Sequence, residues 1–179
     1  MIKYLTVLIF ISFLSIPVFA QTAPPSADEV LQQAFSKAKA EKKNVFIIFH
    51  ASWCGWCHKM DAAINDAACQ QFFNDNYVIE HLTILESADK KQLENPGAEE
   101  LYKKYAPESA GIPFWLIYDA DGKLIADSRL PDGNNMGCPA AANEVEYFIQ
   151  VLKKSSKIDV KTARKVFDRF RKNEPAQKS

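Results

Sequence analysis

Two cysteines separated by two residues, in Cys54-Gly55-Trp56-Cys57, carry the most distinctive chemistry of this 179-residue chain. A pair at that spacing closes into a disulfide or opens into a dithiol, and it exchanges disulfides when one sulfur is held as the attacking thiolate. The preceding residues supply the means. Val45-Phe46-Ile47-Ile48-Phe49 is a continuous β-branched and aromatic run, the pattern of a strand buried on both faces. His50-Ala51-Ser52 breaks the run, and no proline follows as far as Met60, so a helix is expected from about Gly55. Cys54 then stands at the helix mouth, where the positive end of the dipole and unpaired N–H groups favour a thiolate. Cys57 lies one turn inside, close enough to bond Cys54 and shielded from solvent.

The stretch Phe49-His50-Ala51-Ser52-Trp53-Cys54-Gly55-Trp56-Cys57 resembles the thioredoxin superfamily, nearest to its secreted single-domain members with a W-C-G-x-C signature. The resemblance covers about Ser26 to Lys154. It implies an α/β fold, a central mixed sheet flanked by helices. It also implies a thiol–disulfide oxidoreductase with Cys54 as nucleophile and Cys57 as resolving thiol, needing no metal or organic cofactor. Gly111-Ile112-Pro113 precedes another strand, Phe114 to Tyr118. By resemblance Pro113 is a cis-proline facing the dithiol, and the backbone of Ile112 pairs with an extended substrate segment. Substrate contacts are expected at Trp53, Gly55, Trp56, Ile112 and Pro113. Trp56, at a place often held by proline, either touches substrate or covers the site. The sequence departs from cytosolic thioredoxins at Ile48, six before the first cysteine, where a buried aspartate commonly helps deprotonate the second. His50 shares the face of Ile48 and is read as a packed strand-end histidine, with proton acceptor as the other role open to it.

The same residues fit other chemistries. Cys54-x-x-Cys57-His58 spells the attachment motif of a c-type haem, with His58 as proximal ligand and Met60 or Met136 as the second. Such domains are mainly helical, whereas this motif leaves a buried strand. Zinc would require a second ligand pair that the sequence lacks. A purely structural disulfide would close so short a loop that it gives little entropic stabilisation. A redox-inert thioredoxin-like binding module is the remaining alternative. Cys69 and Cys138 are read first as separate buried thiols. A mutual disulfide or an auxiliary redox thiol are the other possibilities.

Met1-Ile2-Lys3, the apolar segment Tyr4–Leu14 and Val18-Phe19-Ala20 form a secretory signal pattern cleaved after Ala20, too short for a membrane span. Export is therefore expected, to a periplasmic or extracellular setting where disulfides persist. Lys and Arg total 22 and so do Asp and Glu, a balance that offers nothing to nucleic acid. The expected partners are proteins bearing thiols or disulfides and a redox recycling partner, membrane-bound or not, with the chain itself a monomer.

In chain order, residues 21–25 read as a linker. Ser26 with Glu29 reads as a capping box opening a helix with Val30, Leu31, Ala34, Phe35 and Ala38 inward. After the dithiol helix, a break at Asn65-Asp66 leads to a helix carrying Ala67, Ala68, Gln71, Phe72 and Phe73, then a turn at Asn74–Asn76. Tyr77–Leu85 reads as a strand parallel to the first, with His81 an ordinary strand residue. Glu86–Gly97 reads as a polar surface excursion and Ala98–Tyr105 as a helix. Asp119–Gly122 is a hairpin turn before the strand Lys123–Ala126. Leu130–Pro139 is a loop, and Val145, Phe148, Ile149 and Leu152 mark a helix. The thioredoxin-like domain is placed at 26–154 and a helical extension at 155–179, where Asp159 caps a helix with Val160, Ala163, Phe167 and Phe170 on one side. Nine Lys or Arg against two acids from Lys153 to Lys172 make either a solvated face or a docking surface for an acidic partner or membrane.

Overall fold

The structure is a computed structural model that describes residues 23–175; the signal-peptide expectation lies outside them. Helix α1, Ala27–Glu41, opens on the capping box: Ser26 Oγ accepts the Glu29 N–H at 3.3 Å, and the Glu29 carboxylate accepts the Ser26 N–H at 2.7 Å. Strand β1, Asn44–His50, follows and lies inside a four-stranded sheet. It runs parallel to β2, Tyr77–Thr83, and antiparallel to β3, Phe114–Tyr118. Strand β4, Leu124–Asp127, completes the order β2-β1-β3-β4.

Strand alternation divides the core in two. Phe46, Ile48, Trp115 and Ile117 face α2, Gly55–Ile64, α3, Gln70–Asn76, α5, Ala142–Ser155, and α6, Val160–Arg171. Val45, Ile47, Phe49, Phe114 and Leu116 face α1 and α4, Ala98–Tyr105. Both faces of β1 and β3 are thus covered, which is why both strands read as unbroken apolar runs. The helices beyond β4 are the C-terminal additions to a mixed, helix-flanked sheet.

Several local expectations need correction. Ala67 and Ala68 lie in turns, and α3 starts only at Gln70. The Asp66 carboxylate accepts the Ala68 N–H at 2.9 Å, which favours a turn over a continued helix. Asn74–Asn76 is helical rather than a turn, and Asn76 Nδ2 donates back to the Phe72 carbonyl at 2.8 Å. Strand β2 stops at Thr83 because Asn95 clasps it, taking the Thr83 N–H on Oδ1 at 2.7 Å and donating its own N–H to the Thr83 carbonyl at 3.0 Å. The following excursion holds a 3-10 helix, Ala88–Leu93, and buries Glu86. Strand β4 sits one residue later than expected, beside an irregularity at Ile117 and Tyr118.

Helix α6 is capped by Asp159, whose carboxylate takes the Thr162 N–H at 2.8 Å. It buries Ala163, Val166 and Phe170; Val160, expected inward, is 86% exposed. Part of its positive charge is used internally. Arg169 pairs with Asp66 at 2.8 Å, and Arg171 bonds the Ala140 carbonyl and Glu174.

Candidate functional site

Strand β1 ends at His50, and its last turn delivers the dithiol. The Ala51 carbonyl accepts the Cys54 N–H at 3.0 Å, closing the turn that aims Cys54 at the start of α2. Cys54 is the N-cap, and its Sγ accepts the Cys57 N–H at 3.1 Å, where helices usually place a serine or aspartate oxygen. Cys54 and Cys57 are joined in a disulfide with Cα atoms 5.2 Å apart. Cys54 is 3% exposed and Cys57 1%, while Trp53, Gly55 and Trp56 beside them are exposed. The two sulfurs are therefore graded: the one at the helix mouth borders open surface and the other lies beneath it.

The opposite wall comes from the loop before β3. Ile112 packs on the cluster of Ala51, Cys54 and Cys57, and its carbonyl oxygen lies 3.5 Å from Cys54 Sγ. In the disulfide that sulfur has no proton, so this is a contact; reduced, the thiol can donate along it. The Ile112–Pro113 peptide bond is cis. Asn135 Nδ2 holds this loop by donating to the carbonyls of Gly111 at 2.7 Å and Pro113 at 3.1 Å. Gly137, with φ +65°, lies against Pro113 and accepts the Trp115 indole N–H at 2.9 Å. A groove of about 270 Å³ runs beside the dithiol, walled by Trp56, Ile112, Pro113, Met136 and Cys138.

Trp56 is 40% exposed, and Lys59 Nζ sits 4.0 Å from its ring centroid, a cation–π contact that steadies the wall. Trp53 turns the other way: it is 59% exposed, and its indole N–H donates to the Leu85 carbonyl at 2.8 Å. Gly55 faces open space, so no neighbour requires glycine there. Ile48 is wholly buried in the apolar core. His50 is the packed strand-end residue: Nε2 lies 3.1 Å from Thr83 Oγ1 and its ring 4.9 Å from that of His81. Burial, followed by the charge of His81, holds its pKa below the usual histidine value.

Cys69 and Cys138 are separate buried thiols. Burial pushes Cys69 up to about 11 and Cys138 up to about 12. His58, the proximal ligand of the haem alternative, has Nε2 3.0 Å from the Ser52 carbonyl oxygen, and Met60 is sealed in the core. The haem alternative would use the same two sulfurs that here form the Cys54–Cys57 disulfide.

Two features escape sequence reasoning. His81 does more than occupy a strand position: its Nε2 lies 2.8 Å from the Asp61 carboxylate of α2. Glu86, in an otherwise polar stretch, points inward and grips Ser52, two residues before Cys54. Neither contact has a local sequence signal, since each joins residues 20 or more positions apart.

A family model described as thioredoxin-like matches residues 27–120. The chain belongs to that thioredoxin-like family. Among solved structures, the chain is similar to a disulphide isomerase from Xylella fastidiosa at 16% identity and a TM-score of 0.47, over 89% of this chain and 96% of that one. It is also similar to the C-terminal domain of DsbD from Neisseria meningitidis at 21% identity and a TM-score of 0.41, over 59% and 84%. Among curated proteins, an uncharacterized protein of Caenorhabditis elegans is 32% identical over 85 residues; the match takes in 47% of this chain and 11% of that protein. The fold and the Cys54-x-x-Cys57 disulfide together support thiol–disulfide oxidoreductase chemistry.

Proposed function

We propose that this protein is an exported thiol–disulfide oxidoreductase that exchanges disulfides with protein substrates through Cys54 and Cys57. The observation that carries the reading is the position of the disulfide, at the N-terminus of α2 and against the Ile112 carbonyl. In the reduced protein, the Cys57 N–H that now meets Cys54 Sγ, together with the positive end of the α2 dipole, favours its thiolate.

In the reducing direction the Cys54 thiolate attacks one sulfur of a substrate disulfide. A mixed disulfide forms, and the other substrate sulfur leaves as a thiolate and takes up a proton. Cys57 then loses its proton and attacks Cys54 Sγ, releasing the second substrate thiolate, which is protonated. Two electrons and two protons pass to the substrate, and the enzyme is left as the disulfide. The same steps reversed oxidise a dithiol. Ile112 offers its backbone N–H and C=O to an extended substrate segment as an added strand. Trp53, Gly55, Trp56 and Pro113 border that segment.

Export rests on the signal pattern of residues 1–20, and a cycling enzyme outside the cytoplasm needs a recycling partner, for which a membrane-bound electron donor or acceptor is the proposed class. Insulin reduction and dithiol oxidation, compared between wild type and Cys54→Ser, test the catalytic reading. Wild type is expected to turn over and the variant to lose turnover. Equal turnover by the two would remove Cys54 from the role of nucleophile, and turnover by neither would leave a redox-inert binding module. The potential of the Cys54–Cys57 pair against glutathione sets the direction: a value near that of thioredoxin marks a reductant, and a much higher one an oxidant or isomerase.

A further inference from the structure

After β2 the chain turns sharply at Leu85, a branched residue at φ 56°, in the left-handed region that such residues rarely adopt. That turn sends Glu86 inward, where it is 4% exposed. Its carboxylate accepts the Ser52 N–H at 2.5 Å and the Ser52 Oγ–H at 2.8 Å. Its own N–H donates to the Glu94 carboxylate at 2.7 Å, and Leu85 takes the Trp53 indole. Residues 85 and 86 therefore grip residues 52 and 53, immediately before the first cysteine. Among the described residues Glu86 forms no ion pair, and Lys90 Nζ reaches only Ser52 Oγ, at 3.4 Å.

The path from this charge to the sulfur is short. Ser52 N is bonded to the Ala51 carbonyl, which accepts the Cys54 N–H at 3.0 Å. That places the carboxylate within about 10 Å of Cys54. Glu86 is buried while its partner Ser52 reaches the surface, so its field is screened only from one side. It opposes the field of the helix N-terminus, which favours the thiolate.

We propose that Glu86 is a positioning residue for the dithiol, one that fixes the Ser52–Trp53 approach and, by its charge, holds down the acidity of Cys54 and the oxidising power of the pair. This deepens the proposed exchange at Cys54 and Cys57 and rests on it. The other charged or titratable groups around the site are Glu94, paired with Lys91, His58 and Lys59 on α2, His50 on β1, His81 paired with Asp61, and Lys90 on the 3-10 helix. Glu86 and Asp61 both favour protonation of His50, against its burial and the charges of His81 and His58.

Glu86→Gln keeps the size of the side chain and removes the charge. In the full chain, titration of the Cys54 thiolate by its ultraviolet absorbance should show an acid dissociation constant larger by about twofold to tenfold. The equilibrium with glutathione should move toward the reduced protein, and the His50 ring should titrate at lower pH by NMR. A variant that folds as wild type and leaves the Cys54 titration unmoved overturns the proposal. Should Glu86→Gln fail to fold, Ser52→Ala decides. It strips one donor from the carboxylate and the Lys90 contact from position 52 while keeping the carboxylate charge. Both changes leave that charge less compensated, so the Cys54 dissociation constant should fall by about twofold, and no change or a rise overturns the proposal. Inert wild type in the insulin assay would defeat the exchange reading alone, because the Cys54 titration still reports on Glu86.

Discussion

Cys54 and Cys138 are each at most 5% exposed and border the same face, yet the backbone gives them opposite chemistry. Cys54 caps a helix, and an N–H meets its sulfur. Cys138 sits in the loop after Met136 with, among the described residues, a single amide donor, Asn173 Nδ2 at 3.3 Å, and burial pushes its pKa to about 12. Cys69, against α6, stands at about 11. At pH 7.5 both thiols therefore stay protonated, and the thiolate is the reactive form. Iodoacetamide applied to the reduced, folded protein at that pH should therefore label Cys54 first and leave Cys69 and Cys138 unmodified until denaturant is added. Peptide mass mapping checks this, and rapid labelling of Cys138 in the folded protein would remove it from the set of inert thiols.

At the scale of elements, α6 tests whether the C-terminal addition belongs to the core. The ring of Phe170 lies 5.0 Å from that of Phe148 on α5 and 6.2 Å from that of Phe73 on α3, and it is fully buried. Phe170→Ala should lower stability in urea denaturation by about 3–5 kcal/mol, whereas Val160→Ala, on the exposed first turn, should change it by less than about 0.5 kcal/mol. The pair also marks how far the sequence could be read. Elements with a strong apolar period or an explicit cap were legible: the run Val45–Phe49, the Ser26 capping box, the Asp159 cap and the helix around Phe148. The stripe of α6 continued one turn too far because periodicity shows which side is apolar, and only the packed neighbours show where the covering ends. The dithiol and the loop of Ile112 and Pro113 were legible because their motif is local. Glu86 was not, since a single acid in a polar stretch looks solvated until β2 and its sharp exit bring it under Ser52. The Asp61–His81 pair was hidden for the same reason, formed by the packing of a helix on a strand.

For the whole molecule, the groups displaced from their ordinary pKa values set a pH window of stability. His50 is lowered, chiefly by burial. Its contribution is present above the unfolded value of about 6.5 and is lost as pH falls through the lower folded value. Asp66 is lowered by the Ala68 N–H and then by Arg169, and Asp159 by the Thr162 N–H and hydroxyl, so their contributions are lost further down, below about 4. On the alkaline side the signs reverse. Burial raises Cys69 and Cys138 above the unfolded thiol value of about 8.5, so the unfolded chain sheds these protons first and gains stability relative to the fold. Stability should then fall from about pH 8.5 upward, with a limiting slope of about 1.4 kcal/mol per pH unit for each thiol. Urea midpoints of the oxidised protein should therefore form a plateau between about pH 6.5 and 8.5, bounded by shoulders of separate origin. His50→Gln should flatten the acid shoulder and leave the alkaline one. Cys69→Ala combined with Cys138→Ala should do the reverse, since neither replacement titrates. A midpoint that rises between about pH 8.5 and 10 would contradict the burial of both thiols, and with it the packing of α6 and of the Asn135–Cys138 loop over the dithiol face of the sheet.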